Sequence, residues 1–103
     1  MAIATPEYND FVIPLLLNMR CWASRPSPSD DFGAVFQGRP VALMASNPGR
    51  LGGVRVMPRL RDVVSELGMV PVPGFVTVLE ATSAFTEQGR LGEDRTEDEL
   101  VSL

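Results

Sequence analysis

The chain of 103 residues contains no histidine and only one cysteine, Cys21. Without histidine there is no Ser-His-Asp arrangement, no imidazole-ligated metal site and no imidazole general base. One cysteine cannot form a disulfide within the chain, nor supply the thiolate sets that hold zinc or iron–sulfur clusters. We therefore assign no metal site, expect Cys21 to be a buried and inert thiol, and expect a cytoplasmic setting.

Clustered basic residues and long apolar runs are also lacking. The formal net charge is −4, with nine Lys and Arg residues against 13 Asp and Glu residues, and the arginines are scattered along the chain. Binding to nucleic-acid phosphates or to an anionic membrane surface would require clustered cations. The longest apolar stretch, Phe11 to Leu17, is far shorter than the roughly 20 residues that span a bilayer. We expect neither a nucleic acid nor a membrane as partner.

Short apolar runs alternate along the chain with segments of helical periodicity. The continuous run Val41–Ala45 is typical of a parallel strand covered on both faces. Gly68 is well placed to end the helix that runs to Leu67. The predicted elements are a strand at 2–5 ended by Pro6, a helix from about Pro14 to Ala23, a loop at 24–40, a strand at 41–45, a helix ending at Leu67, a strand at 75–79 and a capped helix from Thr96 to Leu103. Right-handed crossovers then place three parallel strands side by side.

The first predicted helix is unusually apolar. Its apolar side chains cover more than one face and are Leu15, Leu16, Leu17, Met19 and Trp22. Such a helix should be largely buried, with some of its surface available for a subunit contact. We assign Trp22 to the core or to a subunit interface. The loop that follows is expected to be held against the body of the protein by Phe32, Val35 and Phe36.

Two polar turns each follow an apolar run: Pro6–Asn9, which reads PEYN, and Ser46–Gly53, which reads SNPGRLGG. Loops at the carboxyl ends of adjacent parallel strands converge, so the two turns should face each other across a crevice. Glycines and a following helix N-terminus suit a flat or anionic ligand, and Arg50 adds positive charge. Tyr8 can lie along an aromatic ring, while Asn9 can bond to carbonyl and imide groups. A purely structural turn is the alternative, and a P-loop is disfavoured because no Lys followed by Ser or Thr is present.

Together the two turns resemble those of the NAD(P)H-dependent FMN reductases of the flavodoxin-like superfamily, which carry a P-E-Y-N turn and a later S-x-P-G-R-x-G-G turn. Similar residues recur in order at 22–26, 38–43 and 84–91, so the resemblance covers nearly the whole chain. It implies FMN and NADPH (or NADH) as cofactors, with the first turn at the ribityl and pyrimidine side of FMN and the second where nicotinamide docks. The cofactor-binding residues that it implies are Pro6, Glu7, Tyr8, Asn9, Ser46, Pro48, Gly49, Arg50, Gly52 and Gly53.

The resemblance also implies the fold and its extent. Residues 1–103 correspond to the C-terminal half of such a domain: a partial flavodoxin-like three-layer α/β fold of three parallel strands with flanking helices, in which the N-terminal strands, helices and FMN-phosphate loop are missing. The strand at 2–5 should then lie at an exposed edge. The expected partners are flavin and nicotinamide nucleotides, together with a second copy of the chain or the missing N-terminal half.

The function implied is hydride transfer from NAD(P)H to FMN and on to quinone-like or other acceptors. No catalytic side chain is assigned, because FMN accepts the hydride itself. The alternative is a non-catalytic fragment or split-protein half that needs a partner chain and does not bind FMN alone. A receiver-type signalling domain of the same topology is disfavoured, since no Asp ends the apolar run at Ala45.

Overall fold

The computed structural model describes residues 1–29, 31 and 33–92. The elements are, in chain order, β1 (Ala2–Tyr8), β2 (Phe11–Val12), α1 (Pro14–Ala23), β3 (Pro40–Ser46), α2 (Val56–Glu66) and β4 (Val70–Val78). They form an α/β fold around one mixed sheet of strand order β2-β1-β3-β4, in which β2 alone is antiparallel to its neighbour. The three predicted parallel strands are thus confirmed. Phe32 and the helix predicted from Thr96 lie outside the described residues.

Strand β1 continues past Pro6, so the prediction that this proline ends it is wrong. Pro6 still aligns with Ser46 of β3 in the parallel ladder, and the next two residues pair with β2. Proline lacks only a backbone donor, and strand positions without a partner on that side tolerate it. Among the described residues, no strand pairs with the other side of Ala2–Pro6, as expected for an edge.

The turn between β1 and β2 consists of Asn9 and Asp10, which have φ angles of 52° and 61°. Two consecutive residues with positive φ form the type of turn whose twist matches a two-residue hairpin, and Asn and Asp tolerate this conformation better than most residues. The first polar turn is therefore the tip of a hairpin, and it carries Tyr8 opposite Phe11.

Helix α1 begins at Pro14 and ends at Ala23, as predicted, but it is not largely buried. Within the described part of the chain, no residue of α1 is buried, and Leu15 and Trp22 are 74% and 75% exposed. A sheet covers only one stripe of a helix, and here that stripe is Leu16 and Leu17, which pack against the core. The placement of Trp22 in the core is therefore wrong, and Cys21 is exposed rather than buried.

The core lies between β3 and α2. Alternate β3 residues Val41, Leu43 and Ala45 are buried, and they pack against the apolar stripe of α2, which includes Leu60 and Val64. Complete burial of each such aliphatic side chain stabilises the fold by about 1.5–3 kcal/mol. The other face of β3 is only half-buried in the described structure, so the expected coverage of both faces is found on one.

Helix α2 ends as the sequence predicts. Leu67 is its C-cap, and Gly68 follows with a φ of 79°, a conformation that glycine adopts without a steric cost. Pro58 lies in the first turn, where its missing N–H costs no intrahelical bond. In the loop between α1 and β3, Phe36 is buried as predicted, whereas Val35 is exposed. No described helix has the length and hydropathy needed to cross a bilayer.

Strand β4 is longer than predicted and includes Pro71 and Pro73. Its pairing with β3 shifts register between Val41 and Leu43, beside the proline-rich segment. The carbonyl groups there gain a donor from α2, because Arg61 Nη2 donates to the carbonyl oxygens of Val72 at 2.9 Å and Pro73 at 2.7 Å.

Replacing Arg61 with alanine should lower the free energy of unfolding by about 1–2 kcal/mol, since hydrogen bonds from a charged donor to two carbonyl groups are lost. Chemical denaturation measures the change. Arg39→Ala is the matched control, because the Arg39 side chain is exposed and bonds to no other described residue. We expect this variant to change the free energy of unfolding by no more than about 0.5 kcal/mol. Equal stability losses in the two variants would contradict the role of Arg61.

Candidate functional site

The two polar turns lie side by side at the carboxyl ends of β1 and β3. Asn47 Nδ2 donates to the Glu7 carbonyl oxygen at 3.3 Å and to Glu7 Oε1 at 3.4 Å. The convergence predicted from strand topology is therefore found in the structure. It brings Pro6–Asn9 next to Ser46–Gly53, although these segments are about 40 residues apart in the chain.

Glu7 points inward rather than into the crevice. It is 8% exposed, and its Oε2 accepts a hydrogen bond of 2.8 Å from the N–H of Val56, the first residue of α2. A carboxylate at a helix N-terminus is favoured by the helix dipole as well as by the bond itself. The Glu7 carboxylate therefore occupies the Val56 N–H at the N-terminus of α2. The sequence alone predicts that donors at this helix end are open to a ligand.

Tyr8 and Asn9 are the exposed residues of the first turn, and Tyr8 is 59% exposed. Phe11 lies directly across the hairpin from Tyr8, and the Arg59 guanidinium lies 5.5 Å from the centre of the Phe11 ring. Such a cation–π contact at an exposed site contributes about 0.5–1 kcal/mol. Asp10 anchors the same hairpin to the start of α2.

That anchor is an ion pair between Asp10 Oδ2 and Arg55 Nη1 at 2.9 Å. Both side chains are about half exposed, so solvent screening limits its contribution to less than about 1 kcal/mol. Sequence reasoning missed Asp10, Arg55 and the Phe11–Arg59 contact. The available signal was the Asn-Asp pair between Tyr8 and Phe11, which is typical of a two-residue hairpin turn.

Asn47 organises the second turn from within. Its Oδ1 accepts a hydrogen bond of 2.7 Å from the Gly49 N–H, and its backbone carbonyl accepts one of 3.2 Å from Ala81. The Gly49 carbonyl in turn accepts from Glu80 at 3.1 Å. The turn is therefore tied to the segment after β4. Of the residues predicted there, Ser46 is half-buried at the end of β3, while Pro48 and Gly49 are exposed.

Gly52 and Gly53 are buried and have φ angles of 58° and 86°. A Cβ atom on Gly53 would lie 2.7 Å from the Ala45 Cβ, and one on Gly52 would lie 3.0 Å from Leu79 Cδ2. Residues other than glycine rarely adopt this backbone conformation. Contacts this short also require the neighbouring atoms to shift. The protein's own neighbouring strand and loop therefore account for the glycines at both positions.

Arg50 and Leu51 are exposed residues of the second turn whose donors are not used within the described structure. Among the described residues, the Arg50 guanidinium has no hydrogen-bond or ion-pair partner, and neither backbone N–H has an acceptor. Tyr8 and Asn9 are exposed on the neighbouring turn, so the two turns together present one aromatic ring, several neutral donors and one cation. Such a set suits a flat heterocycle that carries carbonyl groups and an anionic ligand.

A cleft of about 170 Å³ borders the second turn on the side of β4. It is lined by Val78, Leu79, Glu80, Ser83, Ala84, Leu91 and Gly92. Sites that enclose a small molecule usually have volumes of about 300–1,000 Å³. This cleft is therefore smaller than a site that would enclose a flavin.

Polar, glycine-rich turns that meet at the carboxyl ends of parallel strands define the class of α/β proteins that bind nucleotides at the edge of an open sheet. The sequence profile described as NADPH-dependent FMN reductase matches residues 2–83 of the chain. The chain belongs to this family. The resemblance of the two turns is thereby confirmed at the level of the family, and the mixed, mostly parallel sheet is consistent with a flavodoxin-like domain.

Two curated proteins illustrate the relationship. The chain is 34% identical over 99 residues to the NAD(P)H-dependent FMN reductase PA1204 of Pseudomonas aeruginosa, an alignment that covers 95% of the chain and 51% of that protein. It is also 34% identical over 70 residues to a 2-hydroxy-1,4-benzoquinone reductase of a Burkholderia species, which covers 68% of the chain and 36% of that protein. The chain therefore spans about half the length of the first relative and about a third of the second.

Proposed function

We propose that the chain forms part of a flavin-dependent oxidoreductase that transfers hydride from NADPH or NADH to FMN and on to quinone-like or other acceptors. Family membership supports the reaction class, and a benzoquinone reductase among the relatives supports the choice of acceptor. The observation that carries the proposal is the junction of the two turns, where Asn47 bonds to Glu7, with exposed Tyr8 and Asn9 on one turn and exposed Arg50 and Leu51 on the other.

These residues fit the two cofactors by their chemistry. The Tyr8 ring can lie along a flat heterocycle, and Asn9 and the free N–H groups of Arg50 and Leu51 can donate to its carbonyl oxygens. Arg50 can neutralise a phosphate of either cofactor. Bound FMN supplies the hydride-accepting chemistry, so the protein needs to orient the rings and exclude water, and no acid or base is assigned.

We further propose that a second polypeptide segment completes the site, either the N-terminal half of the domain or part of a partner chain. Three observations support this. The chain matches 51% of PA1204, the cleft beside the second turn is about 170 Å³, and the side of β1 at Ala2–Pro6 has no strand partner among the described residues. We propose that this second segment supplies the phosphate loop that the family resemblance implies. A cytoplasmic setting remains a prediction.

The proposed site can be tested by comparing two exposed aromatic residues. Tyr8→Ala should weaken FMN binding about fivefold, because a stacking contact contributes about 1 kcal/mol. Trp22→Ala removes an even more exposed aromatic ring, which lies on α1 and not in either turn, and should leave the affinity unchanged. The measurement is the shift of backbone amide resonances during titration with FMN, and the largest shifts should fall on Tyr8, Asn9, Gly49 and Arg50. Shifts confined to other residues would contradict the assignment.

The alternative is a non-catalytic chain that associates with a partner and binds no flavin. It is favoured by the open side of β1 and by a shallow apolar groove of about 280 Å³ beside it. The groove is lined by Ala4, Thr5, Ile13, Leu15, Leu16 and Met19. Size-exclusion chromatography together with the titration distinguishes the two functions. Stable, flavin-independent association would favour the alternative if FMN also causes no amide shifts in the chain complemented with the portion of PA1204 that it does not match.

A further inference from the structure

Glu7 is the one buried carboxylate among the described residues, and it joins three parts of the fold. It lies near the end of β1, its Oε2 accepts the Val56 N–H of α2, and its Oε1 accepts from Asn47 of the second turn. Asn47 continues the series, because its Oδ1 accepts the Gly49 N–H. A single chain of hydrogen bonds therefore runs from Val56 at the start of α2 through Glu7 and Asn47 to the exposed Gly49 of the second turn.

We propose that Glu7 is a positioning residue, which sets the separation of the two turns and thereby the geometry of the ligand site. This inference rests on the proposed flavin function. Tyr8 follows Glu7 directly in β1, and Arg50 follows Gly49 directly in the second turn. A change at either end of the hydrogen-bond chain should therefore displace an exposed residue of the proposed site, although the Glu7 side chain itself is buried.

Both oxygens of the carboxylate are needed for this role. Oε2 is used by Val56, whose N–H also makes a longer bond of 3.2 Å to the Gly53 carbonyl, and Oε1 is used by Asn47. Glutamine has the same size and only one acceptor oxygen, so in Glu7→Gln an NH₂ group must face either Val56 or Asn47. Asn47 cannot relieve the conflict by turning over its amide, because its Oδ1 is held by Gly49.

The first measurement is amide hydrogen exchange of Glu7→Gln without ligand. Exchange at Val56 or Gly49 should become about tenfold faster or more, as expected for loss of a hydrogen bond to a charged group, while the core amide of Leu43 keeps its protection. Unchanged exchange at both Val56 and Gly49 would overturn the proposal. This readout does not need flavin, so it decides the role of Glu7 even if no form of the chain binds FMN.

The second measurement separates positioning from general stability. Glu7→Gln should weaken FMN binding about tenfold in the complemented chain, while Arg61→Ala, which removes bonds at the opposite end of the sheet, should leave affinity unchanged. Equal affinity losses in the two variants would show that Glu7 acts only through stability. If neither the parent nor any variant binds FMN, the proposed function fails independently of the exchange result.

A second variant covers failure of Glu7→Gln to fold. Asn47→Asp keeps the acceptor for Gly49, removes the donor to Glu7 and sets two carboxylates against each other in a half-buried position. It should give the same faster exchange at Val56 and the same loss of FMN affinity. Parental exchange and affinity in this variant would overturn the proposal on their own.

Discussion

Replacing Gly53 with alanine is expected to lower the free energy of unfolding by about 2–4 kcal/mol, from backbone strain and overpacking together. Gly53 has a φ of 86°, and an added Cβ would lie 2.7 Å from the Cβ of Ala45, a buried residue of β3. Neither atom can move away easily, because β3 pairs on both sides and α2 begins three residues later. Chemical denaturation followed by circular dichroism measures the loss.

Two control variants separate the two causes of this loss. Gly89 has a φ of 77° and no atom within 4 Å of an added Cβ, so Gly89→Ala reports backbone strain alone and should cost about 1–2 kcal/mol. Adding Ala45→Gly to Gly53→Ala removes the steric contact and should recover part of the stability. Equal losses for Gly53→Ala and Gly89→Ala would show that the contact with Ala45 is harmless.

The close neighbours of Gly52 and Gly53 also affect how valine variants at these positions are interpreted. Valine at Gly52 or Gly53 should reduce NAD(P)H oxidation in a complemented enzyme far more than Cys21→Ala does, because it distorts the turn before any ligand is present. Cys21 is exposed on α1 and is assigned no contact with the site. Activity loss without stability loss would instead favour direct ligand contact at these glycines.

Elements defined by local pattern were predictable from the sequence. The spacing of Leu60, Val63 and Val64 located the buried stripe of α2, and Gly68 marked its end, because helix periodicity and the left-handed stop are encoded within a few residues. Pro14 likewise marked the start of α1. The convergence of the two turns also followed from sequence, since strand order and handedness fix which loops share an edge.

Features that depend on distant partners were not predictable. The inward orientation of Glu7 results from a bond to Val56, 49 residues further along the chain. The exposure of Trp22 depends on how much of α1 the sheet can cover, which the composition of the helix does not reveal. Strand β1 continues past Pro6 because Glu7 and Tyr8 pair with β2 in the hairpin. In the first two cases the deciding contact is non-local, whereas the hairpin pairs residues three to five positions apart and was missed despite its local signal.

FMN binding by residues 1–103 alone should be at least about a hundredfold weaker than binding by the chain complemented with the phosphate-loop segment. Two charge-assisted hydrogen bonds to the phosphate, each worth about 1.5–3 kcal/mol, are sufficient for a difference of this size. The described turns offer Arg50 as one exposed cation, and the complementing segment is proposed to supply the other donors to the phosphate. Flavin fluorescence titration measures both affinities, with the portion of PA1204 that the chain does not match supplied as the complementing segment.

Riboflavin is the matched control, because it has the same ring system and ribityl chain as FMN but no phosphate. Complementation should strengthen riboflavin binding much less than FMN binding, since only FMN gains the phosphate bonds. Submicromolar FMN affinity of residues 1–103 alone, or an equal gain for both flavins, would contradict the prediction. In the first case the phosphate must have a site within these residues, and an Arg50→Ala variant that loses FMN affinity while keeping riboflavin affinity would locate it at the second turn.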